Sequence, residues 1–208
     1  MNEFREALET HGARYEIELT EIEISRLCKY YQLLLEWNPR VHLVAPCSPS
    51  EFATRHVLES LLLLPHLPPR VRVADVGSGA GLPIIPVLIA RPDVRATLIE
   101  SSKKKAVFLR EALNLTQTSD QASVLAERFE NVLAPKVNCV TCRALDRFAV
   151  LFPRLIRWSP QPSRLFLFAG EELRKQIERA RFEYESIHIP DSARRVLFVI
   201  QTLATSRS

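Results

Sequence analysis

The chain has 208 residues, enough for one domain with a buried core, and 47% of them are hydrophobic, an ordinary share for a globular protein. No apolar run approaches the roughly 18 residues that span a bilayer, and the opening MNEFREALETHG is charged and has no apolar signal core, so a cytoplasmic protein is expected. The net charge of +4 is mild, but its 28 basic residues are 22 Arg and 6 Lys, a bias towards the side chain that grips phosphate with a planar fork.

The first 68 residues read as helices. Thr20 and Glu23 form a capping-box pattern. The helix it opens places Ile24, Leu27, Tyr31, Leu34 and Leu35 on one stripe and ends near Trp37-Asn38-Pro39. A second helix runs from about Pro49 to Leu64, with Phe52, Val57, Leu58, Leu61 and Leu62 inward. Pro65, Pro68 and Pro69 close this part, which is expected as a helical extension over 1–68 packed on a core over 69–208. Beyond residue 70 strands alternate with helices: strand 71–76, helix 82–90, strand 95–100, helix 103–114, strands 121–126 and 137–142, helix 146–158, strand 164–169, helix 171–183, and strands 186–190 and 195–203. This alternation predicts an α/β fold with a mostly parallel sheet. The link Pro190–Arg194 is too short for a parallel crossover, so the last two strands form an antiparallel edge pair. Cys139 and Cys142 have CxxC spacing, but within a strand they point to opposite faces and read as two half-buried thiols; no metal site is expected.

The stretch Val71-Arg-Val-Ala-Asp75-Val-Gly77-Ser-Gly79-Ala-Gly81-Leu-Pro83 ends the first of these strands at the place where open α/β sheets bind ligands. Its glycines let a ligand approach the backbone. It is no P-loop, because Leu82-Pro83 stand where Lys and Ser/Thr would be. As a dinucleotide fingerprint it is one residue short, and Pro83 and Pro86 remove amide donors from the helix start. An acid two residues before G-x-G-x-G suits a cation, and S-adenosylmethionine carries an ammonium and a sulfonium. Asp75 is the candidate for attracting them. Glu100, at the end of the second strand, is a candidate for the ribose hydroxyls. Phe129 and Glu130, after the third, flank the place of the adenine.

Arg143 follows the fourth strand at the loop bordering the transferred methyl group and is the candidate catalytic residue. Arg147, Arg154 and Arg157 fall near one helix face, either as a phosphate-binding strip or as a solvated face. Lys103, Lys104 and Lys105 open a helix at the end that disfavours cations. Arg40, His42, Arg55 and His56 add basic groups from the N-terminal helices, with His56 read as packed rather than catalytic. No Ser-His-Asp or Cys-His arrangement is assignable. A guanine N7 has a free lone pair, so its methylation needs orientation and no general base. The residues CRAL after strand four do not fit the Asn/Asp-Pro-Pro-aromatic pattern of exocyclic-amine methylation.

Arg55-His56-Val57-Leu58-Glu59-Ser60, Asp75 to Pro83, Leu98-Ile99-Glu100-Ser101 with Lys104-Lys105 and Phe108-Leu109-Arg110, Arg143-Ala144 and Glu36-Trp37-Asn38 together resemble the ribosomal small-subunit methyltransferase G family, also called glucose-inhibited division protein B, over nearly the whole chain. The resemblance implies a class I S-adenosylmethionine-dependent methyltransferase: a Rossmann-like, mostly parallel seven-stranded sheet with an antiparallel edge pair, preceded by N-terminal helices. It implies methylation of N7 of a guanine in the 530 loop of 16S rRNA, on the small ribosomal subunit; a monomer that binds no membrane is expected. By position, Gly77, Leu82, Phe129, Glu130 and Arg143 match the family's cofactor contacts; Asp75, Gly79 and Glu100 join them on the physical argument. Arg55, Lys104 and Arg147 are the expected RNA contacts. His42, Ile84, Ala169 and Gln201 depart from the family pattern. A ribosome-binding module of this fold with weakened catalysis, or a methyltransferase with another acceptor, are the alternatives.

Overall fold

The computed structural model describes residues 1–143, 148–192 and 194–202. Helix α1 (Asn2–His11) and α2 (Glu21–Val41) come first. The predicted capping box is formed: Thr20 Oγ1 accepts from the Glu23 amide at 3.4 Å, and the Glu23 carboxylate accepts from the Thr20 amide at 2.7 Å. Then α2 runs through Pro39 to Val41, past the predicted end, and stops where His42 adopts a left-handed φ of 51°. The predicted stripe needs one correction. Leu35 is 49% exposed and Tyr30 is fully buried in its stead, because the helix buries the face that meets the Gly77–Gly81 loop and Phe108.

The next helix is not uniform. Ser48 caps α3 (Pro49–Phe52), a π-helical turn covers Ala53–Leu58, and α4 (Glu59–Leu61) ends three residues before the predicted Leu64. Such wide turns are frequent at functional sites. The rest is β1 (Arg72–Val76), α5 (Ile84–Ala90), β2 (Arg95–Ile99), α6 (Lys103–Leu115), β3 (Ala122–Leu125), β4 (Cys139–Cys142), α7 (Phe148–Trp158), β5 (Ser163–Gly170), α8 (Glu172–Arg179), β6 (Tyr184–His188) and β7 (Arg195–Thr202).

The sheet has seven strands in the order β3-β2-β1-β4-β5-β7-β6. The first five are parallel; β7 runs antiparallel to β5 on one side and to β6 on the other, so the last two strands form the predicted antiparallel pair and β6 lies at the edge.

Alternation along the strands divides the core in two. Val73, Leu98, Cys139, Phe166, Phe168, Leu197 and Val199 face α1, α2, α5 and α6. Val76, Ile99, Val140, Cys142, Leu165, Leu167, Phe198 and Ile200 face α7 and α8. Cys139 and Cys142 therefore belong to opposite layers and are both free thiols. The N-terminal helices share one apolar cluster with the sheet: Phe4 stacks on Tyr31 at 4.4 Å, Tyr31 on Phe52 at 4.8 Å, and Trp37 meets Phe108 of α6 edge-on at 5.9 Å. Among the described residues no helix is long and apolar enough to cross a membrane.

Candidate functional site

The glycine loop leaves β1 at the carboxyl end of the sheet. Its amides are largely occupied within the fold. Gly77 and Ser78 donate to the Ile99 carbonyl at 2.9 and 3.2 Å, and Gly81 donates to the Ser78 carbonyl at 2.6 Å. Gly79 donates to Glu100 Oε2 at 2.9 Å, while Glu100 Oε1 accepts from the Ser102 amide at 2.7 Å. A loop committed in this way is not a phosphate cradle, in agreement with the missing P-loop lysine. Glu100 is buried and pins the loop to the start of α6; each carboxylate oxygen keeps a second lone pair for another donor. Gly77 has a φ of +72°, and the space a Cβ would occupy there is open.

Beside this loop lies a cleft of about 370 Å³, a size suited to a small-molecule ligand. Gly77 and Ile99 line one side, Glu127 to Glu130 the next, and Cys142, Val150, Leu151 and Arg154 the far wall. Phe129 is held edge-on against Trp158 at 5.6 Å, and Trp158 Nε1 donates to the Val132 carbonyl at 2.8 Å. Glu130 forms an ion pair with Arg154 across the cleft. Arg154, ambiguous between a phosphate strip and a solvated face, lines the cleft with a half-exposed side chain, whereas Arg157, also exposed, does not line it.

On the other face of the same strand ends is a buried polar group. Asp75 is 1% exposed; Thr141 Oγ1 donates to its Oδ1 at 2.7 Å, and its Oδ2 has no hydrogen-bond partner among the described residues. Burial raises its carboxyl to about 7 against the Thr141 hydrogen bond. Tyr30 reaches over from α2 and donates its hydroxyl to the Ala80 carbonyl at 2.7 Å.

Arg143 does not extend into the cleft. Its side chain is 7% exposed and lies over the ring of Phe168 at 5.8 Å. Its Nη2 donates to the Arg55 carbonyl at 2.8 Å, meets His56 Nδ1 at 3.1 Å, and lies 3.4 Å from Glu59 Oε1. Its Nη1 is buried with no partner among the described residues. Glu59, 1% exposed, pairs through its other oxygen with Arg195. Burial first, then the neighbouring arginines, push His56 down to about 3, so the ring is neutral. A guanidinium only donates, so Nδ1 is the acceptor and the proton sits on Nε2.

These features have counterparts in known proteins. The family rRNA small subunit methyltransferase G matches residues 23–197. A ribosomal RNA small subunit methyltransferase G from Nitrosomonas europaea is 40% identical over 151 residues, 71% of this chain and 70% of the relative. The protein of the same name from Chromobacterium violaceum is 43% identical over 138 residues, 66% of each chain. The chain belongs to the rRNA small subunit methyltransferase G family. Solved structures agree on the fold. A ribosomal protein L11 methylase from Lactobacillus delbrueckii subsp. bulgaricus superposes with a TM-score of 0.58 at 15% identity over 72% of this chain and 79% of that one. A SAM-dependent methyltransferase from Aquifex aeolicus gives 0.58 at 14% identity over 75% and 94%. The fold is that of the class I methyltransferases, with N-terminal helices placed before the sheet.

Within this family fold, Gly77, Phe129 and Glu130 meet at the cleft, and Gly79 and Glu100 brace the loop beside it. Asp75 and Arg143 sit on the opposite face of the strand ends. Leu82 is buried in the apolar cluster behind the loop and does not line the cleft. Of the expected RNA contacts, Lys104 is exposed at the start of α6, Arg55 is exposed and paired with Glu51, and Arg147 lies outside the described residues. Ile84 is fully buried, Ala169 is buried within β5, and Gln201 is exposed on β7. Sequence reasoning assigned no role to Tyr30, Thr141, Glu59 or Arg195. The first three sit in helix or strand patterns that read as core, and Arg195 opens a strand more than 130 residues from Glu59. The one usable signal was the Arg55-His56-Val57-Leu58-Glu59-Ser60 motif itself, which carried the family resemblance without a role for Glu59.

Proposed function

We propose that this protein is an S-adenosylmethionine-dependent rRNA methyltransferase that acts on N7 of a guanine in the 530 loop of 16S rRNA, in the cytoplasm, with residues 1–68 as a helical extension of a methyltransferase domain over 69–208. The observation that carries the reading is a pair of buried polar atoms, one of a carboxyl and one of a guanidinium, that have no partner among the described residues at the ends of adjacent strands: Asp75 Oδ2 and Arg143 Nη1. Buried polar groups are nearly always satisfied, so an orphan carboxyl oxygen and an orphan guanidinium nitrogen at the ends of neighbouring strands point to a ligand that offers a donor to one and an acceptor to the other. The amino-acid end of S-adenosylmethionine has an ammonium and a carboxylate. The donor set fits this group. Asp75 would accept from the ammonium, Arg143 would donate to the carboxylate, Glu100 retains acceptor capacity for ribose hydroxyls, and Phe129 offers an aromatic wall for an adenine.

When bound, S-adenosylmethionine supplies an electrophilic methyl group on a sulfonium. The chain's own part is orientation. The open space at Gly77 leaves room for a ligand against the backbone. Tyr30 and Glu100 hold the loop from two sides and restrict its movement. Among the described residues no general base is in place, and N7 needs none, because its lone pair attacks without losing a proton. Catalysis then rests on alignment. Lys104 and Arg55, both exposed, would supply sequence-independent attraction for phosphate.

The test is incubation with radiolabelled S-adenosylmethionine and small ribosomal subunits from cells lacking this modification, with the label mapped by nuclease digestion and mass spectrometry. A single 7-methylguanosine in the 530 loop is the expected result. Label on another nucleotide, or no label while the cofactor still binds in calorimetry, overturns it.

A further inference from the structure

The motif Arg55-His56-Val57-Leu58-Glu59-Ser60 is not explained by the site described so far. It forms the π-helical turn and the start of α4, and three of its groups converge on one nitrogen of Arg143: the Arg55 carbonyl, His56 Nδ1 and Glu59 Oε1. One edge of the guanidinium is therefore pinned. The other nitrogen, Nη1, is left buried and free among the described residues. Glu59 also draws in Arg195 from the first position of β7, so two cations meet one carboxylate, and the neutral His56 adds no charge. Among the described residues the cluster keeps one more buried cation than anion, which favours an incoming anion. A guanidinium with one edge fixed and one edge open has the geometry to take a carboxylate.

We infer that Glu59 is a positioning residue: from the N-terminal helices it fixes the orientation of Arg143, so that the free edge of the guanidinium meets the carboxylate of the cofactor. The inference rests on the reading of Arg143 given above. It makes the helical extension part of the cofactor site. The π turn is the local device, since Glu59 follows it directly and the turn brings the Arg55 carbonyl and the His56 ring to the same guanidinium edge.

The test compares two ligands in calorimetry. S-adenosylhomocysteine carries the amino-acid ammonium and carboxylate, and 5′-methylthioadenosine keeps the adenosine and sulfur but lacks both, so the Arg143→Gln background isolates the carboxylate. Wild-type protein is expected to bind the first more tightly. Glu59→Gln is expected to weaken S-adenosylhomocysteine about tenfold and to leave 5′-methylthioadenosine within twofold. In an Arg143→Gln background the same substitution is expected to change neither. Glu59→Asp keeps the buried charge but draws it back by one methylene; it is expected to lower the ratio of the two affinities about threefold, and it serves if the Gln variant does not fold. A merely structural Glu59 would weaken both ligands alike. Equal loss for both ligands, or an unchanged ratio in the Gln and Asp variants, overturns the inference and leaves the cofactor reading intact. Equal binding of the two ligands by wild type overturns the roles of Asp75 and Arg143 and the inference together.

Discussion

Asp75 carries opposite demands for stability and for function. Its carboxyl, at about 7 in the fold, lies above its ordinary value of 3.8 because burial disfavours the charged form. The folded state therefore holds a proton that the unfolded chain releases between about pH 4 and 7. Below pH 4 both states are protonated and the residue costs nothing. As pH rises through this window to above 7, the protein without ligand loses stability, on the order of 4 kcal/mol by the end. Asp75→Asn should melt at the wild-type temperature near pH 4 and several degrees higher at pH 8, by calorimetric scans without ligand, while losing S-adenosylhomocysteine binding. Identical pH profiles for the two proteins would remove the charge argument. Two glycines make a second contrast. Gly77 and Gly81 have φ of +72° and +86°, so an alanine is strained at both by roughly 1–2 kcal/mol. A Cβ at Gly77 meets nothing, whereas at Gly81 it would lie 2.3 Å from Ile85 Cδ1, in a fully buried side chain. Gly81→Ala should therefore lower Tm by several degrees more than Gly77→Ala, and a reversed order would refute the packing explanation.

At the scale of elements, one hydrogen bond ties α2 to the loop after β1. The Tyr30 hydroxyl is fully buried, and burial pushes its proton loss far beyond the physiological range, so it is a fixed donor to the Ala80 carbonyl. Tyr30→Phe keeps the ring packing against Phe52 and Phe108 and leaves that carbonyl without its donor. The expected cost is about 1–3 kcal/mol, and in a chain of this size about 2–4 °C per kcal/mol. The loop should also exchange its amide hydrogens faster at Gly79 and Gly81, read by hydrogen exchange with mass spectrometry. Unchanged exchange would mean that Glu100 alone holds the loop.

For the whole molecule, the decisive fact is that the N-terminal helices and the sheet share an apolar cluster and a buried ionic one. Phe4, Leu27, Tyr30 and Phe52 lie in the same layer as Val73, Phe108 and Phe166. Removing residues 1–68 would expose that layer and leave Arg143 without Glu59 and His56. Losing one partner from a buried ion pair costs about 3–5 kcal/mol by itself. The full chain should unfold in urea as one transition, seen alike by tryptophan fluorescence and circular dichroism, and the fragment 69–208 should not fold. Two separate transitions would show the helices to be an independent domain.

Much of this was legible in the sequence, for identifiable reasons. Strand–helix alternation and the short Pro190–Arg194 link determined the sheet and its antiparallel pair, because periodicity and connection length are local properties. The capping box at Thr20 was legible because its partners are three residues apart. The glycines after Asp75 marked the turn that leaves β1 because the motif is contiguous in the chain, while the bond from Gly79 to Glu100, 21 residues on, was not legible from spacing. The order in which β7 comes between β5 and β6, the exposure of Leu35 and the π turn at Ala53–Leu58 were decided by packing. The direction of Arg143 was decided in the same way. Sequence placed it at the loop after β4; the fold turned it under the N-terminal helix, because Glu59, 84 residues away along the chain, supplies the buried carboxylate it needs. Local spacing can show that a charged residue occupies an apolar face, but which distant charge neutralises it is decided only when the chain brings the two into one low-dielectric interior.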